Sequence, residues 1–110
     1  MLQRGFLYWA SLDKRRPILV ISIDARNRLA NDVLVVPCST TLRAAPTHVF
    51  LRAGEGGIPR ACVLKCEQLT TLPQLDVEGE AFGPPLSPAR IAEVERAVLR
   101  AIGVAVSEPS

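Results

Sequence analysis

The stretch Arg15-Arg16-Pro17-Ile18-Leu19-Val20-Ile21-Ser22-Ile23 constrains the fold more than any other part of the chain. From Ile18 to Ile23 every residue but Ser22 is an apolar β-former. Such a run reads as a strand buried on both faces. Pro17 stands at its entrance, where a missing ladder donor costs little. Two guanidinium groups precede it, so the strand presents paired positive charge at its mouth. Arginine is suited to holding a phosphate there, because its planar fork donates two parallel hydrogen bonds. The plainer reading makes Arg15 and Arg16 solvated gatekeepers flanking a sticky strand, and the rest of the chain decides between the two.

The other elements follow from period and punctuation. Alternation predicts a strand from Phe6 to Leu12, with Phe6, Tyr8 and Ala10 on one face and Leu7, Trp9 and Ser11 on the other. The short link Asp13-Lys14-Arg15 makes an antiparallel hairpin with the Arg16–Ile23 strand. Residues 24–32 read as a loop with one helical turn capped by Asp24. Val33 to Val36 is a third strand whose ladder Pro37 limits, and Thr47 to Leu51 is a fourth. A fifth runs from Ala61 to Leu69, placing Val63, Lys65, Glu67 and Leu69 on one face. Residues 70–86 look irregular. Ser87 caps a helix with Pro88 in its first position. Ile91, Val94, Val98 and Ile102, helped by Ala101, form its apolar stripe, and Gly103 stops it. Residues 104–110 read as a frayed tail. The sum is one domain over 1–110, mainly β with a C-terminal helix, as a small and strongly bent antiparallel barrel.

Composition narrows the function classes. With 48% hydrophobic and 22% charged residues, the 110-residue chain is globular. No apolar run approaches the roughly 18 residues of a membrane span, and the N-terminus lacks a signal-peptide pattern, so a cytoplasmic location is expected. Cys38, Cys62 and Cys66 include no Cys-x-x-Cys pair and read as buried small hydrophobes. Residues 1–60 carry nine Lys/Arg against four Asp/Glu, and residues 61–110 four against seven, which gives +5 and −3. The first half suits a polyanion and the second a solvated flank.

Most catalytic constellations are missing. His48 is the only histidine, which argues against a two-histidine ribonuclease, a zinc site or a Ser-His-Asp triad; a structural or RNA-touching role suits it better. Asp76, Glu78 and Glu80 lack rigid ligand spacing and read as solvation, so no metal and no cofactor is expected. The Gly54–Gly57 run precedes no helix and makes no nucleotide cradle. What remains is Arg16 at a strand mouth, Ser39 and Thr40 at a strand end, and Lys65 with Glu67. These offer a phosphate clamp, hydroxyl donors and an acid/base pair. Attack of an RNA 2′-hydroxyl on its neighbouring phosphate needs those parts and no metal.

At this point the sequence resembles the MazF/PemK family of toxin endoribonucleases. The residues that carry the resemblance are Arg4-Gly5, Arg16 to Ile21, Val35 to Thr40, Pro46 to Val49, Gly56 to Arg60, Cys66 to Leu72 and Leu86 to Arg90. The resemblance implies an SH3-like barrel of the type shared with CcdB, and a homodimer. It also implies metal-independent, sequence-specific cleavage of single-stranded RNA to a 2′,3′-cyclic phosphate and a 5′-hydroxyl. A cognate antitoxin would cover the RNA groove. By position, Arg16 and Ser39 look like the family's catalytic residues, and Lys65-Cys66-Glu67 stands where the PemK branch has Arg-Cys-Asp for acid and base. Arg15, Lys14, Thr40, Thr41, Arg43 and His48 complete an expected RNA-binding set. Two features depart from the pattern. Phe6 replaces the acidic residue after Arg-Gly, and the loop before Arg-Pro is short.

Two other readings share the fold. A gyrase poison of the CcdB kind relies on an aromatic residue near the C-terminus, and the sequence after Gly103 has none. A binding module that holds RNA without turnover is favoured by Phe6 and the short loop.

Overall fold

The computed structural model describes residues 1–107. Six antiparallel strands and two helices alternate as β1 (Leu7–Ser11), β2 (Arg15–Val20), α1 (Asp24–Leu29), β3 (Asp32–Ser39), β4 (His48–Leu51), β5 (Cys62–Lys65), β6 (Thr70–Pro73) and α2 (Pro88–Ala101). The strand order is β1-β2-β3-β5-β4, with β6 also on β3. β4 does not pair with β1, so the sheet bends around β3 without closing.

The expected hairpin is present, with Leu7 opposite Leu19 and Ser11 opposite Arg15. β1, β2 and β3 are covered on both faces. Leu7, Leu19 and Val36 join Leu51, Leu64 and Val94 in one core, while Tyr8, Ile18, Val20 and Val35 join Leu72 and Val77 in the other. Each such side chain contributes roughly 1.5–3 kcal/mol by leaving water.

β2 stops at Val20, three residues short of the sequence reading, and Ser22 is the reason. Its buried hydroxyl accepts from the Leu34 amide at 3.1 Å and donates to Asn27 Oδ1, taking over the next ladder position. The helical turn that follows starts at Asp24, which is not its cap. Asp24 Oδ1 accepts from the Arg4 amide at 2.8 Å and pins the N-terminal segment instead.

β3 runs through Pro37 to Ser39, beyond the expected strand. Pro37 ends only the ladder with β2; Cys38 and Ser39 then pair with Leu64 and Val63 on the opposite edge. The fifth strand of the sequence reading, Ala61 to Leu69, stops at Lys65, and Thr70–Pro73, expected to be irregular, is a sixth strand on that same edge of β3. Cys38 faces Leu64 and Val35 faces Thr70, so six steps on one side match three on the other. The three surplus residues, Cys66 to Gln68, form a 3₁₀ turn. Glu67 is therefore not on a strand face with Lys65.

Residues 77–86, expected to be irregular, form a strap along the free edge of β1. The amides of Glu78, Phe82 and Leu86 each donate at 2.9 Å to the carbonyls of Trp9, Leu7 and Gly5, and Ala10 bridges Val77. The strap covers an edge that would otherwise offer itself to another strand.

Ser87 Oγ accepts from the Arg90 amide at 3.2 Å and starts α2 as expected. Its inward line is Ile91, Val94, Ala97 and Val98, with Val94 and Ala97 buried and the other two half-buried. Ile102 and Ala101, assigned to that stripe from sequence, are exposed. Gly103, at φ +87°, ends the helix: its amide bonds Arg100 O and that of Val104 bonds Leu99 O. Of the expected frayed tail, 104–107 carries no helix or strand and 108–110 lies outside the described residues.

Candidate active site

The mouth of β2 opens onto a cleft of about 480 Å³ between the β1–β2 hairpin, the end of β3 and the start of β5. Each wall follows from local folding. The hairpin brings Lys14, Arg15 and Arg16; β3, running past Pro37, delivers Cys38 and Ser39 and then Thr40 and Thr41; the Gly-rich turn supplies Arg60; and Lys65 ends β5. Five cations and no carboxylate line it. Converging like charges in a walled cleft focus a positive potential on an incoming anion.

Arg16 is largely enclosed, with 17% of its side chain accessible. Its Nη2 donates to Asp13 Oδ2 at 3.0 Å, and its buried Nε has no hydrogen-bond partner among the described residues. The guanidinium therefore keeps donor capacity that the protein does not use. Arg15 pairs both ways with Glu78 (2.7 and 3.1 Å) and lies 4.1 Å above the ring of Trp9. The Glu78 bond raises the Arg15 pKa, and the Arg15 bond lowers that of Glu78. Among the described residues, Lys14, Arg60 and Lys65 make no ion pair within 4 Å.

Ser39 Oγ accepts from the Thr41 amide at 3.1 Å, which leaves its own hydrogen to donate. Cys38 and Cys66 are not nucleophiles in waiting. The hydrogen bond to Cys62 and then burial push Cys38 well up, Arg16 opposing; Cys62, on the accepting side, moves down. Burial pushes Cys66 up to about 12.

Of the residues expected from sequence, Arg16, Ser39, Lys65, Arg15, Lys14, Thr40 and Thr41 share this cleft. Glu67, His48 and Arg43 do not line it. Glu67 accepts from Thr47 Oγ1 at 3.1 Å and lies 3.1 Å from His48 Nε2, and His48 Nδ1 meets the Arg43 carbonyl at 2.7 Å. The His48 side chain is only 8% exposed, which fits packing better than RNA contact. Sequence reasoning did not single out Trp9 and Arg60, which line the cleft, or Asp13, which touches Arg16 at its rim. Arg60 closes the Gly-Gly-Ile-Pro-Arg block, a signal in plain view; Trp9 and Asp13 show their place only once the hairpin is folded.

Comparison with known proteins bears on this cleft. Residues 3–102 match the family described as PemK-like, MazF-like toxin of type II toxin-antitoxin system. Endoribonuclease MazF6 of Mycobacterium tuberculosis is 34% identical, across 93% of this chain and 97% of its own. The probable endoribonuclease MazF5 of that organism is 31% identical, across 94% and 91%. Among solved structures, the M. tuberculosis toxin MazF-mt6 superposes with a TM-score of 0.82 at 27% identity, covering 92% of this chain and all but 1% of its own length, 99%. An endoribonuclease from a mycobacterial species, solved with its cognate antitoxin, gives 0.83 at 28% identity, covering 97% and 100%. Both sequence and fold agree over nearly the whole chain, and the protein belongs to the PemK-like, MazF-like toxins of type II toxin–antitoxin systems.

Proposed function

We propose that this toxin is a metal-independent endoribonuclease acting on single-stranded RNA. The observation that carries the reading is the convergence of Arg16, Ser39 and Lys65 on one cationic cleft free of lining carboxylates. Relatives named endoribonucleases support the same reaction class.

In the proposed reaction the 2′-oxygen attacks the adjacent phosphorus and the P–O5′ bond breaks, giving a 2′,3′-cyclic phosphate and a 5′-hydroxyl. Arg16 holds the non-bridging oxygens with donors that tighten as charge builds on them. Ser39 adds one hydrogen bond, and Lys65 supplies charge and a proton to the departing 5′-oxygen. Lys14, Arg15, Thr40 and Thr41 hold neighbouring phosphates and sugars. For the 2′-proton, the sequence reading favours Glu67, but contact favours Asp13. Neither carboxylate lines the cleft, but Asp13 stands at its rim and touches the Arg16 guanidinium, whereas Glu67 is turned to His48 and Thr47. Asp13 is our assignment.

We also propose a homodimer, since Leu99, Ile102 and Val104 stand exposed at the end of α2. The antitoxin is proposed to lay an acidic segment across the cationic cleft. A test incubates the purified protein with single-stranded RNA in EDTA and reads the new ends by mass spectrometry. Cyclic phosphate and 5′-hydroxyl ends are the expected result. RNA bound but uncut would make this a binding module, and inhibited gyrase with intact RNA would make it a gyrase poison.

A further inference from the structure

The proposed reaction uses the charges of the cleft and leaves its largest aromatic group without a task. Trp9 is the chain's single tryptophan and is half-buried. It borders the cationic cleft on one side and, on the other, a depression of about 520 Å³ walled by Glu78, Glu80 and Phe82. The strap fixes this surround through backbone bonds, Glu78 to the Trp9 carbonyl and Phe82 to the Leu7 carbonyl. The Phe82 ring then rests 5.0 Å from the indole, tilted by 49°.

The indole is held rigidly, but its cover is not. Arg15 lies over the ring at 4.1 Å, tied among the described residues to Glu78 alone, and the two side chains are 56% and 53% exposed. A pair so open to solvent is weak and exchangeable. A guanidinium and a nucleobase are both flat and compete for the same aromatic face. A phosphate that draws Arg15 away thus breaks its pairing with Glu78 and uncovers the indole in one movement.

We infer that Trp9 is a stacking platform for one unpaired nucleobase beside the phosphate held at Arg16, closed by the Arg15–Glu78 pair in the free protein. The released Glu78 carboxylate faces the depression as an acceptor, so the platform selects a base whose edge carries an amino group. This deepens the RNA reading and rests on it.

Because Trp9 is the sole tryptophan, its fluorescence reports the platform directly. The probes are a 2′-O-methyl RNA oligonucleotide, which lacks the attacking hydroxyl and stays intact, and an abasic oligonucleotide of equal length. The 2′-O-methyl oligonucleotide is expected to quench Trp9 saturably, and the abasic one to bind, by anisotropy of a labelled end, with little quenching. Trp9→Ala is expected to weaken the base-bearing oligonucleotide roughly five- to a hundredfold and leave abasic affinity unchanged. Trp9→Phe, which keeps a ring and guards against misfolding, is expected to retain most of the affinity. Equal quenching by both probes, or equal weakening of both by Trp9→Ala, would overturn the platform and leave RNA binding standing. Failure of both to bind wild-type protein, with no RNA cut, would remove the RNA reading and the platform with it.

Discussion

His48 Nε2 lies 3.1 Å from Glu67 Oε2, and the other ring nitrogen lies 2.7 Å from the Arg43 carbonyl. This pairing sets the direction of the Glu67 side chain. Burial pushes the Glu67 carboxyl up, but hydrogen bonds from His48, from its own backbone and from Thr47 outweigh it and hold the group below the usual carboxylate range. A carboxylate stabilised in this way is a weaker base. These bonds tie the 3₁₀ turn that separates β5 from β6 to Thr47 and His48.

The first prediction follows from that geometry. Asp13→Asn is expected to lower kcat by about 10²-fold or more, the usual scale for losing a general base. Glu67→Gln is expected to act mainly on thermal stability, with a smaller loss of rate. Measuring kcat and Tm for both variants checks this, and the reverse order of kcat effects would assign the 2′-proton to Glu67.

Arg16 is expected to act on the transition state more than on binding. Arg16→Ala removes preorganised donors and should cost about 10²–10³ in kcat, with a smaller change in affinity for uncleavable RNA. Ser39→Ala removes one uncharged hydrogen bond worth about 0.5–1.5 kcal/mol, or roughly two- to thirteenfold in rate. Single-turnover kinetics beside binding isotherms separates the two contributions.

Binding to single-stranded RNA is expected to weaken with salt. Each neutralised phosphate contributes a slope of roughly −0.7 to the plot of log affinity against log salt. Of the cleft's cations, Lys14, Arg60 and Lys65 make no ion pair among the described residues and set the floor for that count. Isotherms at several salt concentrations test it, and a flat response would exclude the cleft as the RNA site.

The hairpin and both ends of α2 were legible because their determinants are local. The Arg16–Ile23 run announced a strand covered on both faces, and Ser87-Pro88 and Gly103 announced a helix start and stop. The break at Cys66–Gln68 was not legible. Val63, Lys65 and Glu67 alternate as a strand would, and only pairing to β3 reveals three residues too many. The strap at 77–86 was hidden for a similar reason: its order comes from β1 carbonyls far away in sequence. Within the site, Arg16, Ser39 and Lys65 could be named from residue type and position. Glu67 was misplaced by the hidden turn, and Trp9 went unnoticed because its partners Arg15, Glu78 and Phe82 converge only across the folded edge.

The Gly-rich turn is tied to α2 by Arg90, whose Nε and Nη2 reach the Glu55 carboxylate at 2.8 and 3.2 Å. That bond, opposed by burial and helped by the Arg52 amide, holds the Glu55 carboxyl below its usual range. A folded-state pKa below the unfolded value stabilises above about pH 4.3, and the contribution is lost as pH falls through the folded value. Glu55→Gln is therefore expected to cost about 1 kcal/mol near neutrality. The difference from wild type should close in acid, as denaturant titrations at pH 7 and pH 3 would reveal.

Gly57 couples this turn to the strap. Its φ of +84° is one that side chains disfavour, and an added Cβ would sit 2.4 Å from the Phe82 carbonyl oxygen. That oxygen belongs to backbone held against β1 through the Phe82 amide, so it cannot swing aside as a side chain would. Gly54 is the natural control. Its φ is +97°, yet an added Cβ there meets nothing within 4 Å. Gly54→Ala is expected to cost only the backbone term, about 1 kcal/mol, which is a few degrees in Tm for a domain of this size. Gly57→Ala adds the displacement of the strap and is expected to cost at least about 1–3 kcal/mol more, the scale of overpacking. It should also shift the Trp9 emission, because Phe82 and Glu78 move with the strap, while Gly54→Ala should leave the emission as it is. Equal Tm losses in the two variants with unchanged emission would mean that the strap yields freely at Phe82, and that the surround of Trp9 is set without it.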